Sequence, residues 1–197
     1  MKFLQINLHH NKAATAALCQ QLAEGKADIA LIQEPWLYKG RIKGLNHTGG
    51  TLYSVAQSNN AGSCVYIRNH VTPPTKEMRD IIDYCFSRKN QLIIGCDANE
   101  HHILWGSTGT NPRGESLMEF LVSSNLNILN HGKEPTFVVW NRKGVIGLTL
   151  ETNNIENLVS NWHVSDELSL LDHRYICFEI SNITVDQTTY GNPKRNN

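Results

Sequence analysis

Two short apolar runs do most to limit what this chain can fold into. ALIQ at residues 30–33 and LIIGC at 92–96 are each of strand length, and each closes on an acid, Glu34 and Asp97. Runs this short and this continuous read as strands covered on both faces. A carboxylate at the mouth of such a strand is held by its neighbours yet reaches solvent. Mg²⁺ favours such hard oxygen donors, taking one or two carboxylates and filling its remaining positions with water or substrate phosphate. Asn99 follows Asp97 by two residues, so on an extended backbone the two side chains share a direction. One can accept a proton from water while the other orients it.

The remaining periodicities supply a frame. FLQINL alternates, with Leu4, Ile6 and Leu8 on one face and Gln5 and Asn7 on the other, which predicts a strand covered on one side. Ala14, Ala17, Leu18 and Leu22 recur at helical spacing, with Gly25 as a stop. TLYSVA and SCVYIR flank an Asn/Gly turn and predict a hairpin. Met78, Ile81, Ile82, Cys85 and Phe86 form a helical stripe, with Thr75 as its N-cap after Pro73-Pro74. A further helix is marked by Leu117, Phe120 and Leu121; LNILN, TFVVW, VIGLTL and RYICFEI then read as strands. The order fits either two packed sheets with helices outside or one mixed α/β sheet, and periodicity does not choose between them.

Composition narrows the chemistry. The 197 residues carry 18 basic and 18 acidic side chains, so no broad basic field grips nucleic acid, while an enzyme that holds one phosphate at a metal stays open. Five scattered cysteines form no Cys-x-x-Cys pair, and the four inside apolar runs read as reduced, buried thiols in an intracellular protein. No secretory leader and no apolar run of spanning length is present, and the reading is of a soluble chain with no membrane association. The sequence leaves nucleus or cytoplasm open.

His173 follows Asp172 and opens RYICFEI, where it could donate to a phosphate oxygen or act as general acid. The pairs His9-His10 and His101-His102 place neighbours on opposite faces, and no His-Glu-x-x-His helix exists, which disfavours zinc. Nucleophile-elbow, phosphate-loop and dinucleotide fingerprints are absent. Metal-assisted hydrolysis remains.

The series QINLHHNKAA, ALIQEPW, GGTLYSV, IIGCDANEHHILWGS, NPRGESLMEFL, LNILNHG, PTFVV and LDHRYICFEI closely resembles the endonuclease domain of non-LTR retrotransposons, within the endonuclease/exonuclease/phosphatase superfamily. The resemblance spans about residues 1–180, with 181–197 as a polar tail. It implies an α/β, four-layer αββα sandwich of two mixed sheets flanked by helices. The implied activity is divalent-metal-dependent phosphodiester hydrolysis that nicks DNA and exposes a 3′-hydroxyl to prime reverse transcription. The cofactor would be Mg, with Mn as substitute and no small-molecule cofactor.

Carried over by position, Glu34 binds the metal and Asn7 supports metal and phosphate. Asp97 activates water, Asn99 orients it, and His173 stabilises charge on the phosphoryl oxygens, with Asp172 beside it. The same motifs offer His9, His102, Trp105 and Arg113 to the substrate side, and Trp36 and Trp105 as borders of a DNA groove.

Two departures accompany the resemblance. The family has an Asp where Gly147 stands, an acid that holds the histidine in its working tautomer. It also has a further stretch, with a tyrosine-bearing strand, where Val71 and Thr72 here join YIRNH to PPTKEMRD. The chain therefore reads as a shortened copy missing one or two strands, and it carries no reverse transcriptase domain. Alternatives are an inactive, nucleic-acid-binding relic and a small-molecule phosphatase of the same superfamily.

Overall fold

A computed structural model describes residues 1–45, 48–54, 62–68, 92–98, 100–123, 126–152 and 155–181. The alternating FLQINL segment forms β1 (Lys2–Asn7), and the Ala/Leu stripe after it forms α1 (Lys12–Ala23). Asn11 caps α1, its side chain accepting from the Ala13 and Ala14 amides at 2.8 and 3.1 Å. Gly25, at φ 77°, supplies the left-handed exit. The chain then returns as β2 (Ile29–Gln33), parallel to β1, with α1 as the crossover that a parallel pair requires.

Short β3 (Leu37–Tyr38) and β4 (Arg41–Ile42) pair with each other. The expected hairpin is present as β5 (Gly50–Ser54) and β6 (Ser63–Arg68), paired antiparallel. Next come β7 (Ile93–Asp97), α2 (Pro112–Ser123) and β8 (Leu126–Ile128). A hairpin of β9 (Phe137–Val139) and β10 (Arg142–Gly144) precedes β11 (Gly147–Thr152). Finally β12 (Val159–Val164) and β13 (Ile176–Ile180) close the fold.

Besides the β3–β4 and β9–β10 pairs, the described strands form a six-stranded sheet ordered β12-β13-β1-β2-β6-β5 and a three-stranded sheet ordered β7-β11-β8. Mixed character lies in the larger sheet; the smaller is antiparallel throughout its described strands. Ala14, Leu18 and Leu22 of α1 pack on Leu4, Ile6, Ala30 and Ile32, covering one outer face. Leu117, Met118 and Leu121 of α2 pack on Ile94, Cys96, Leu148 and Leu150, covering the other. Helix, sheet, sheet and helix thus stack in four layers.

The expectation that β1 is covered on one side is corrected. Gln5 and Asn7 are buried, 2 and 6% exposed, and face the second sheet. Gln5 Nε2 donates to the Leu148 carbonyl at 3.0 Å, while Thr149 Oγ1 donates to Gln5 Oε1 at 3.0 Å. Gln33 Nε2 donates to the Gly95 carbonyl at 2.8 Å. Polar side chains can line an interior when each finds such a partner. The helix expected over the Met78–Phe86 stripe, the junction at Val71–Thr72, where the strand loss was expected, and nearly all of the polar tail lie outside the described residues.

Candidate active site

The ends of β1, β2 and β7 and the approach to β13 lie at one edge of the two sheets. Asn7 is the last residue of β1 and Asp97 the last of β7. Across the sheet interface Asn7 Nδ2 donates to Asp97 Oδ2 at 2.8 Å, while Asn7 Oδ1 accepts from the His9 amide at 2.9 Å. The amide is therefore fixed in orientation and spends its donor on the carboxylate. His173 Nδ1 lies 3.5 Å from the same Asp97 oxygen, with side-chain exposures of 10 and 7%.

The His173 ring is held on its other sides by rings. Phe137 packs edge-on at 5.1 Å between centroids, and His9 edge-on at 6.4 Å. Backbone contacts brace it: Phe137 bridges His173 antiparallel, Val138 N donates to the Asp172 carbonyl at 2.7 Å, and Arg174 N donates to the Thr136 carbonyl at 2.8 Å. Burial pushes the imidazole below its ordinary pKa, against the opposing pull of Asp97; His9 lowers it further, and Glu34 and Asp172 raise it. Three carboxylates thus lie near enough to act on one ring.

Glu34 sits one residue past β2 in the left-handed region, at φ 43°, and is half-buried. Its carboxylate has no hydrogen-bond partner among the described residues. Among the same residues no group of three or more His, Cys, Asp or Glu side chains is arranged to hold a metal by itself. A carboxylate whose charge reaches the same ring as Asp97, with the Asn7 amide on Asp97 itself, nevertheless fits, in donor chemistry, an ion that binds through one or two carboxylates and water.

The remaining candidates divide. Asp172 is exposed, and its charge acts on the ring while its backbone carbonyl takes part in the brace. Arg113 is exposed at the start of α2 and pairs with Glu100 at 3.1 Å. His102 caps a single helical turn, Ile103–Trp105, accepting from the Leu104 amide at 3.1 Å. Trp105 is corrected as a groove border: at 1% exposure it is a core residue, with its Nε1 on the Glu100 carbonyl at 3.3 Å. Trp36 is partly exposed, and the Lys12 ammonium lies 5.5 Å above its ring. Asn99 lies outside the described residues. Sequence reasoning missed Phe137, whose contact with His173 spans 36 positions and leaves no periodic trace.

Gly147 is the register partner of Asp97. Its amide, like that of Ile146, donates to Thr136 Oγ1, at 2.8 and 3.0 Å. A Cβ at this glycine would meet Ile176 Cδ1 at 3.1 Å and Thr136 at 3.4 Å. Thr136 and Ile176 thus crowd the space that an acid would enter.

A family model described as endonuclease-reverse transcriptase matches residues 62–177. The chain belongs to that family. Among solved structures, the endonuclease domain of TRAS1, a telomere-specific non-LTR retrotransposon, is similar at 25% identity with a TM-score of 0.73, covering 91% of this chain and 98% of that one. An AP endonuclease from Archaeoglobus fulgidus gives a TM-score of 0.70 at 9% identity, covering 92% of this chain and 99% of its own. A 3′ phosphatase from Neisseria, bound to a product DNA hairpin, gives 0.68 at 10% identity, with 91 and 99% covered. The latter two show the shared fold alone. No curated protein sequence matches the chain. Family and fold are those of nuclease-type hydrolases, and no helix among the described residues is long and apolar enough to cross a membrane.

Proposed function

We propose that this endonuclease–reverse transcriptase family chain is a divalent-metal-dependent DNA endonuclease that cuts one strand to leave a 3′-hydroxyl for priming. The observation that carries this reading is the meeting of Asn7, Asp97 and His173 from separate strand ends, with the charges of Glu34 and Asp172 acting on the same ring.

Glu34, with Asn7, would hold a Mg²⁺ or Mn²⁺ ion, which supplies positive charge to the phosphate as it reacts. Asn99 and Asp97 orient a water, and Asp97 accepts its proton as the oxygen attacks phosphorus. The P–O3′ bond breaks, and the 3′ oxygen leaves and takes up a proton from solvent. His173 keeps Nδ1 toward Asp97 and offers Nε2 to a phosphoryl oxygen. The approaching phosphate adds negative charge beside the ring and offsets its burial, so the ring takes up at Nε2 the proton that this contact needs. Such catalysis rests on placement and fixed charge. Arg113, His9 and His102 lie on the substrate side of this reading.

Supercoiled plasmid incubated with the purified chain and Mg²⁺ is expected to relax through single nicks, and Asp97→Asn is expected to abolish nicking while leaving the circular dichroism unchanged. A folded wild-type chain that leaves the plasmid intact with both Mg²⁺ and Mn²⁺ would retire the activity. Gly147 favours a second reading, an inherited fold that binds DNA without cutting it. Salt-sensitive DNA retention with no nicks would support that reading, and hydrolysis of soluble phosphoesters without nicking would support neither.

A further inference from the structure

Three non-glycine residues at the site adopt left-handed backbone, His9 at φ 46°, His10 at 53° and Glu34 at 43°. L side chains rarely enter this region. Glu34 is constrained further because Pro35 follows it, and a residue before proline is pushed toward extended backbone. A turn this unfavourable persists only where surrounding contacts fix it.

Among the described residues those contacts are three. Glu34 N donates to the Gly62 carbonyl at 2.8 Å, and His10 N donates to the Glu34 carbonyl at 2.7 Å. The third comes from the His10 ring, whose Nδ1 lies 2.8 Å from the Pro35 carbonyl oxygen. A carbonyl only accepts, so this ring nitrogen carries the proton. His10 thus supplies two of the three bonds on the Glu34-Pro35 turn. It does so beyond the last register pair of β1 and β2, Asn7↔Gln33, where the strands are free to diverge.

We propose that His10 is a positioning residue: it locks the Glu34-Pro35 turn and so aims the Glu34 carboxylate, whose use as a metal ligand rests on the function proposed above. Its ring is committed to Pro35, and it acts through Glu34. Asparagine is the substitute the geometry admits, since it tolerates left-handed backbone and carries an N–H near the place of Nδ1. Alanine keeps the backbone bond and loses the ring bond.

The test is Mn²⁺ binding by calorimetry, with no DNA present, together with amide exchange at His10 and Glu34. His10→Ala is expected to weaken Mn²⁺ binding by about ten- to a hundred-fold, the range seen when a group supporting a ligand is removed. Exchange at both amides should quicken. His10→Asn should restore binding to within about three-fold of wild type, as a surviving donor at the same place requires. Wild-type affinity and exchange in His10→Ala would overturn the proposal. If the wild type binds no Mn²⁺, the metal reading fails by itself and exchange decides the positioning role. Faster exchange in the alanine variant with recovery in the asparagine variant supports it, and no change in either overturns it.

Discussion

Asp97 is the residue on which the site depends, because one of its oxygens faces both Asn7 and His173. Removing the Asn7 donor leaves a nearly buried carboxylate short of a partner, a loss of about 1.5–3 kcal/mol for a bond to a charged group. Asn7→Ala should therefore cut nicking by about a hundred-fold or more, the scale for deleting one preorganised polar group, measured as initial rate on plasmid. His173 gives a prediction in pH. Burial holds its folded pKa below the ordinary 6.5, so above that value the folded and unfolded chains are both neutral here and stability is whole. As pH falls through the window beneath 6.5 the unfolded chain takes up the proton first, and stability is lost. Metal-free melts from pH 7.5 down to about 5 should fall more steeply in wild type than in His173→Gln. Parallel slopes would refute this. Gly147→Asp is expected to lower stability by about 1–3 kcal/mol, as overpacking does, and not to restore activity alone. Thermal melts with and without Ile176→Val, which removes the Cδ1 lying 3.1 Å from the added Cβ, would show whether that side chain is the obstacle. Of these residues, Glu34, Asp97 and His173 were legible as candidates because each closes or opens a recognisable strand, and Asn7 only through the family resemblance. Thr136 and Phe137 were not, since their part in the site arises from contacts made across the fold.

At the scale of elements, both described helices and most of the described strands were legible, while β12, β10, the short β3–β4 pair and the destination of one face were not. Alternation in β1 separates two faces correctly but cannot say that the polar one meets another sheet. Gln5, Asn7 and Gln33 look like solvent-facing residues until their partners, the backbone of β7 and β11 and the Asp97 carboxylate, are known. The close approach this requires falls on Gly95 in β7. A Cβ there would sit 2.8 Å from the Gln5 amide carbon and oxygen and 3.0 Å from Leu31 Cδ1. Gly95→Ala must push the sheets apart or turn Gln5 off its carbonyl partners. The expected cost is about 1–3 kcal/mol, read as a lower denaturation midpoint with unchanged slope. Because Asp97 lies two residues along the same strand, nicking should fall with it. Loss of stability with undiminished nicking at a temperature where the variant stays folded would separate the sheet spacing from the site.

At the scale of the whole molecule the charge balance constrains how the proposed DNA substrate would be held. With 18 basic and 18 acidic residues the chain cannot rely on a long-range attractive field, so its hold must come from local groups beside the site. The β9–β10 hairpin is where such groups are offered. Its base is braced on His173 through Phe137, and Arg142, Lys143 and Trp140 are exposed along it. Arg174 ties the hairpin approach to the loop before β13, pairing with Glu134 and Asp166 at 2.7 Å each. Those partners are exposed and contribute little stability, but they set the hairpin relative to the histidine. Each phosphate neutralised by a basic side chain adds about 0.9 to the slope of log affinity against log salt on duplex DNA. Arg142→Gln combined with Lys143→Gln should therefore flatten that slope by about 1.8 if both side chains contact phosphate. Circular dichroism and the nicking rate at saturating DNA should stay near wild type, because neither residue touches Asp97 or His173. An unchanged slope in the double variant would place the duplex elsewhere on the molecule, and the hairpin would then serve His173 only as a brace.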